Sequence, residues 1–206
     1  MVKAVLFDYA GVLTEGGTQG SVTRLVAAAL GIPASKVRPM GGLLTQLFMG
    51  TVTTGQFLKQ LQAAYPLAQK PTRAKLLQNA DIFVPSAPVY ALAAALRKKG
   101  IKTGILSNMF ELSATSLRKR GLYDGFDPVV LSCEERLAKP DPEFYERAVQ
   151  KLGVAGNEII FVDDQERFRA PAELLGMHFI LAESPLQIVA DVESLIFEYD
   201  GIRLDD

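Results

Sequence analysis

Three short apolar runs in this chain stop abruptly at polar side chains: Val2–Phe7 at Asp8, Thr103–Leu106 at Ser107 and Asn108, and Ile159–Val162 at Asp163 and Asp164. A run of this length bounded by turn residues reads as a strand buried on both faces, and such strands need helices on both sides of their sheet. From Pro88 onward the chain supplies those helices. Helix Val89–Lys99 precedes strand Lys102–Leu106, and helix Leu112–Arg120 precedes strand Pro128–Leu131. Helix Pro142–Leu152 leads to strand Glu158–Val162, helix Glu166–Leu175 to strand His178–Leu181, and a last helix spans Leu186–Phe197. This alternation predicts an α/β fold with a doubly wound parallel sheet. Gly100, Gly121, Gly153 and Gly176 each follow a helix and precede an apolar residue, the pattern of a Schellman stop. Asp141 before Pro142 sets a capping carboxylate ahead of a proline at the first helical position.

Between the first run and this alternation lies a different kind of sequence. Glu15–Gly20 holds three glycines and reads as a flexible joint. From Ser21 to about Ala80 the apolar residues fall at helical spacing, with Thr53 and Gln56 spaced as a capping box before Phe57. Pro66, Pro71, Pro85 and Pro88 punctuate the exit. The expected organisation is a core built from residues 1–14 and 86–206, interrupted by an all-helical insert over 15–85.

Composition narrows the partners. Apolar residues make up 49% of the 206, which places the chain among globular proteins. A net charge of −1 lacks the basic footprint of nucleic-acid or anionic-membrane binding. No apolar stretch is long enough to span a bilayer. The single cysteine, Cys133, allows no intramolecular disulfide, and a cytoplasmic location is expected.

Open α/β sheets bind ligands at the carboxyl ends of their strands. Asp8, Ser107-Asn108 and Asp163-Asp164 all fall there, and Lys139-Pro140-Asp141-Pro142 lies between the last two. Each is ambiguous alone: a D-x-x-G segment, a Ser-Asn pair or two adjacent acids more often caps a loop or helix. In the order Asp, Ser, Lys, Asp-Asp, the chain resembles the haloacid dehalogenase (HAD) superfamily. The nearest resemblance is to its small phosphatase-like hydrolases with a helical cap after the first strand. It is most specific over Ser132–Met177, where S-C-E-E-R-L-A-K-P-D-P-E-F-Y and F-V-D-D-Q-E-R follow the family pattern.

The resemblance implies a HAD-like Rossmannoid core with a small helical cap, and a Mg²⁺-dependent phosphatase acting on a small phosphorylated metabolite. It implies Asp8 as the nucleophile that forms an aspartyl-phosphate, and Lys139 as the cation between Asp8 and the phosphate. It implies Ser107 and Asn108 as phosphate-binding residues, with the Ser107 amide at the start of the next helix. The metal set would comprise Asp8, Asp164 and the backbone carbonyl of Ala10, with Asp163 either behind these ligands or orienting a water.

Ala10 departs from the pattern, because most phosphatases of the family carry a second Asp there. Asp8 and Ala10 are two apart and share a face of an extended chain, so an acid at 10 would protonate the leaving group and later activate water. General acid–base help of that kind is worth about 10²–10⁴-fold. Three consequences follow: substrates with good leaving groups, an acid borrowed from the insert or joint such as Glu15, or ligand binding without catalysis. A phosphonatase-like carbon–phosphorus hydrolase also carries Ala at this position but needs an insert lysine for a Schiff base. Lys36, Lys59, Lys70 and Lys75 stand in no recognisable context for one. Phe168 occupies a place where relatives often carry Asn, which removes a polar support of the acid pair. His178 reads as a packed structural histidine and Cys133 as a buried small residue. Met40 and Met49 read as packing, and Met109 as packing or a pocket lining.

Overall fold

The structure, a computed structural model, describes residues 1–15, 21–37, 41–80 and 84–204. The glycine joint over residues 16–20 and Met40 lie outside the described residues. Among the described residues five strands form one parallel sheet: β1 (Ala4–Phe7), β2 (Lys102–Ser107), β3 (Val129–Leu131), β4 (Ile159–Asp163) and β5 (His178–Leu181). Their order is β3-β2-β1-β4-β5, so the chain winds outward on one side of β1 and then on the other. In register, Phe7 stands between Ile105 of β2 and Val162 of β4. Such a reversal opens a crevice at the carboxyl ends of the central strands.

Alternation along the strands divides the core between two faces. Val5, Phe7, Ile105, Ile160, Val162 and Ile180 pack against α5 (Ala87–Lys98), α6 (Glu111–Lys119) and α10 (Pro185–Asp200). Ala4, Leu6, Leu106, Ile159 and Phe161 pack on the other face against α8 (Pro142–Leu152) and α9 (Arg169–Leu174). The chain therefore has the doubly wound α/β core that its sequence predicts. The glycines expected to stop helices all take positive φ. The Asp141 side chain accepts from the Glu143 amide at 3.1 Å, as its position before Pro142 requires.

One local reading changes. The helix expected over Glu166–Leu175 is split into a 3₁₀ turn, Glu166–Phe168, and α9. Pro171 is the reason: a continuous helix needs its amide to bond the carbonyl of residue 167, and proline has none to give. A short helix, α7 (Ser132–Glu135), follows β3.

Residues 21–80 hold α1 (Ser21–Leu30), α2 (Gly41–Phe48), α3 (Thr54–Ala64) and α4 (Arg73–Ala80). The capping box at the start of α3 forms, with the Gln56 amide donating to Thr53 Oγ1 and the Thr53 amide donating to Gln56 Oε1. Leu25, Val26, Leu30, Phe57, Leu61 and Leu76 make a cluster of their own, which continues onto Phe110 and Leu112 at the start of α6. The two connections to the sheet run side by side. Glu15 N donates to Val84 O at 2.8 Å, and Ser86 N donates to Leu13 O at 2.9 Å. No helix among the described residues is long and apolar enough to cross a membrane.

Candidate active site

Asp8 is the first residue beyond β1, and its amide donates to Val162 O at 2.9 Å, which extends the pairing with β4. By the period of two, Asp8 continues the face of Leu6, and Asp163 continues the face of Phe161. Register then sets the two carboxylates side by side at the strand ends. Asp164 takes the next position and leans over the turn that follows Asp8. That turn is possible because Gly11 has φ +84°. A Cβ on Gly11 would lie 2.4 Å from Asp164 Oδ2, so glycine answers both the backbone conformation and the close approach. Ala10, half-buried, is the residue before this bend.

Lys139 enters from the loop between α7 and α8. Its Nζ lies 2.9 Å from Asp8 Oδ1 and 2.5 Å from Asp163 Oδ2. The side chains of Asp8, Lys139 and Asp163 are all essentially shielded from solvent. Asp163 Oδ1 accepts from the Gln165 amide at 2.9 Å. Burial opposes the charge on Lys139, but the Asp163 and Asp8 carboxylates outweigh it and raise the pKa of the ammonium. Burial pushes the Asp163 carboxyl up to about 7, against the pull of Lys139 and with the repulsion of Asp8. The site therefore holds one fixed cation among carboxylates poised to share charge.

Asp8, Asp163 and Asp164 each present an oxygen, and these oxygens lie within 4.8 Å of one another. An all-oxygen donor set of this size fits a hard divalent cation such as Mg²⁺. Gly11 keeps the space beside Asp164 open.

Asn108 faces Lys139, and Ser107 lies away from the helix start expected for it. Asn108 Nδ2 donates to Lys139 O at 2.9 Å and its Oδ1 accepts from Lys139 N at 2.8 Å, so its amide pins the lysine backbone. Ser107 is the buried last residue of β2, and Phe110, not Ser107, precedes α6. Its amide is therefore not at the helix start, because the loop 108–110 intervenes.

Several contributors were not legible as such. Lys139 Nζ lies 4.8 Å from the ring centroid of Phe168 and 5.4 Å from that of Phe161. Alternation along β4 could have set Phe161 on the face of Asp163, but nothing in the sequence aims Phe168 at a lysine 29 positions earlier. Ser132 joins three segments: Met109 N donates to its Oγ at 2.9 Å, and that hydroxyl lies 2.6 Å from Phe48 O at the end of α2. Phe48 and Phe110 meet edge to face at 6.0 Å beside this bond. Met109 is buried in the core that covers α5 and α10. The Cys133 thiol is half-buried, and burial with Glu134 nearby pushes it up to about 11, so it is a thiol and not a nucleophile at neutral pH. His178, half-buried, rests its ring 4.8 Å from Tyr199, with Nε2 3.1 Å from Asn157 O.

The chain is similar to known proteins. A sequence model of haloacid dehalogenase-like hydrolases matches residues 2–172. Phosphatase MT3486 of Mycobacterium tuberculosis is 32% identical, covering 97% of this chain and 98% of its own length. Mouse acyl-CoA dehydrogenase family member 10 is 28% identical over 94% of this chain, and that match takes up only 19% of the mouse protein. The chain thus spans a minor part of some of the longer relatives it matches. A HAD family enzyme from Bacteroides thetaiotaomicron, solved with magnesium and inorganic phosphate, superposes with a TM-score of 0.71 at 21% identity, covering 89% of this chain and 96% of its own. An aspartate-to-alanine mutant of that enzyme is also solved with magnesium and inorganic phosphate. On its fold, its strand-end residues and the match over most of its length, the chain belongs to the haloacid dehalogenase-like hydrolases.

Proposed function

We propose that the chain is a Mg²⁺-dependent phosphohydrolase acting on a small phosphorylated metabolite, with Asp8 as nucleophile. The observation that carries this reading is the buried Lys139 ammonium 2.9 Å from Asp8 Oδ1, beside three carboxylates clustered within 4.8 Å. A carboxylate attacking a phosphate dianion is repelled unless cations are close. Lys139 is one such cation. Asp8, Asp164 and the Ala10 carbonyl would hold Mg²⁺, which supplies further positive charge at the phosphoryl oxygens, and Asp163 keeps Lys139 in place.

In the first step an Asp8 carboxylate oxygen bonds to phosphorus and the bond to the leaving oxygen breaks, giving an aspartyl-phosphate. In the second, water attacks that phosphorus, releasing inorganic phosphate and restoring the Asp8 carboxylate. Ser107 at the end of β2 is assigned to the phosphate, and Asn108 supports it by holding the Lys139 backbone. The leaving oxygen gains no proton from residue 10, so acyl and aryl phosphates are the substrates that suit this site best. The helices over 21–80 act as a cap on the site. The paired connections at Glu15–Val84 and Leu13–Ser86 are its stem, and the Ser132–Phe48 bond is one of its contacts with the core.

Ala10 also favours a second reading, a homologue that binds phosphate and Mg²⁺ without turnover. The phosphonatase alternative has less support. Lys36, Lys59 and Lys70 are exposed, and Lys75 donates to Gln69 Oε1 at 2.8 Å, so no insert lysine has the desolvated setting of a Schiff-base amine.

Hydrolysis of p-nitrophenyl phosphate with and without Mg²⁺, on wild type beside Asp8→Asn, tests the proposal. The expected result is metal-dependent turnover that disappears in Asp8→Asn. Phosphate binding with no turnover in either protein would overturn it in favour of the second reading.

A further inference from the structure

We propose that Phe168 is a positioning residue for the phosphoryl-transfer step, its ring fixing the Lys139 ammonium by cation–π attraction. The inference rests on the phosphohydrolase reading above. A lysine side chain has four rotatable bonds, and a buried ammonium on so long a stem needs more than a pinned backbone to stay in one place. Asn108 fixes the Lys139 backbone, and Asp8 and Asp163 draw the ammonium from one side. Phe168 and Phe161 present rings to the same ammonium at 4.8 and 5.4 Å.

Both rings are almost wholly buried, where the attraction between a cation and a ring face is stronger than at the surface. The two rings are not equivalent. Phe161 also meets Tyr145 and Phe179 in T-shaped contacts, each at 5.8 Å, within the core. The Phe168 ring packs in the same apolar cluster but faces two cations: Lys139, and Arg167 with its guanidinium carbon 4.7 Å from the centroid. The reaction explains why a ring is useful here. When Asp8 bonds to phosphorus its carboxylate charge is lost, and the pull on Lys139 passes to Asp163 and the phosphoryl oxygens. A ring whose attraction does not depend on Asp8 keeps the ammonium between Asp8 and the phosphoryl oxygens throughout.

Replacing Phe168 with 4-fluoro-, 3,5-difluoro- and 3,4,5-trifluorophenylalanine withdraws charge from the ring face while nearly preserving its shape. Expected is a stepwise fall in kcat/KM for p-nitrophenyl phosphate, about tenfold over the series and log-linear in fluorine number. The dissociation constant of inorganic phosphate, measured calorimetrically with Mg²⁺, rises in the same order. Phe168→Leu, which keeps apolar volume without a ring face, falls at or below the trifluoro protein. The series repeated in Arg167→Gln keeps its slope.

Absence of turnover in wild type would refute the phosphohydrolase reading, and the phosphate series would then decide this inference alone. Phosphate affinity indifferent to fluorine, no phosphate affinity in wild type, or a slope that vanishes in Arg167→Gln would each overturn it.

Discussion

Lys139 and Arg169 each face two carboxylates, and they do different work. Lys139 lies between Asp8 and Asp163 with its side chain 1% exposed and theirs 5% and 0%. Arg169 lies between Glu166 and Glu173 with its side chain 35% exposed and theirs 60% and 52%. The geometries are alike: 2.9 and 2.5 Å at Lys139, 2.6 and 3.4 Å at Arg169. The surface triad lies within one helical stretch and is screened by water and salt. The buried one draws its members from three segments distant in sequence, and its charges cannot be replaced by solvent. Burial turns an ordinary ion pair into a fixed field at the sheet's open end, which is the condition for stabilising a phosphoryl group.

The comparison is sharpened by breaking each side in turn. The largest effect is expected from Asp8→Asn, which removes the proposed nucleophile: turnover falls below detection, read in the phosphatase assay. Lys139→Met follows. It leaves two buried carboxylates without their cation, and urea unfolding at neutral pH should register a loss of about 3–5 kcal/mol as well as lost activity.

Gly11→Ala probes the space that lets Asp164 approach. A side chain at φ +84° is strained by about 1–2 kcal/mol, and its Cβ would fall 2.4 Å from Asp164 Oδ2. Mg²⁺ affinity, measured by calorimetry, should weaken by about tenfold. The smallest effect belongs to Arg169→Ala, whose melting temperature and kcat/KM should be indistinguishable from wild type at physiological salt. A large destabilisation there, or none in Lys139→Met, would undo the contrast between the two triads.

The Asp8 site was partly legible because its carboxylates end apolar strands. Val2–Phe7 and Ile159–Val162 announce themselves by length and composition, and Asp8 and Asp163 sit where the runs stop. Lys139 was assigned from order and resemblance; no periodicity placed it. Asn108 was read as a phosphate contact because Ser-Asn at a strand end offers polar groups. Its engagement with the Lys139 backbone depends on where the 136–141 loop runs relative to the end of β2, and no local pattern encodes that. The split at Phe168 was readable from Pro171 in hindsight, since the missing amide is a property of one residue. The partner of the Phe168 ring was not.

The sequence by itself determined the alternation of strands and helices, their glycine stops and caps, and the acids at the strand ends. These depend on dihedral preference and on spacings of a few residues, which neighbours along the chain decide. Tertiary structure alone decided which cation meets which carboxylate, which ring faces it, and that the Ser132 hydroxyl reaches across to the Phe48 carbonyl. Those contacts join loops whose side-chain directions are set by the sheet and helices packed around them, so their distances exist only once the core has closed.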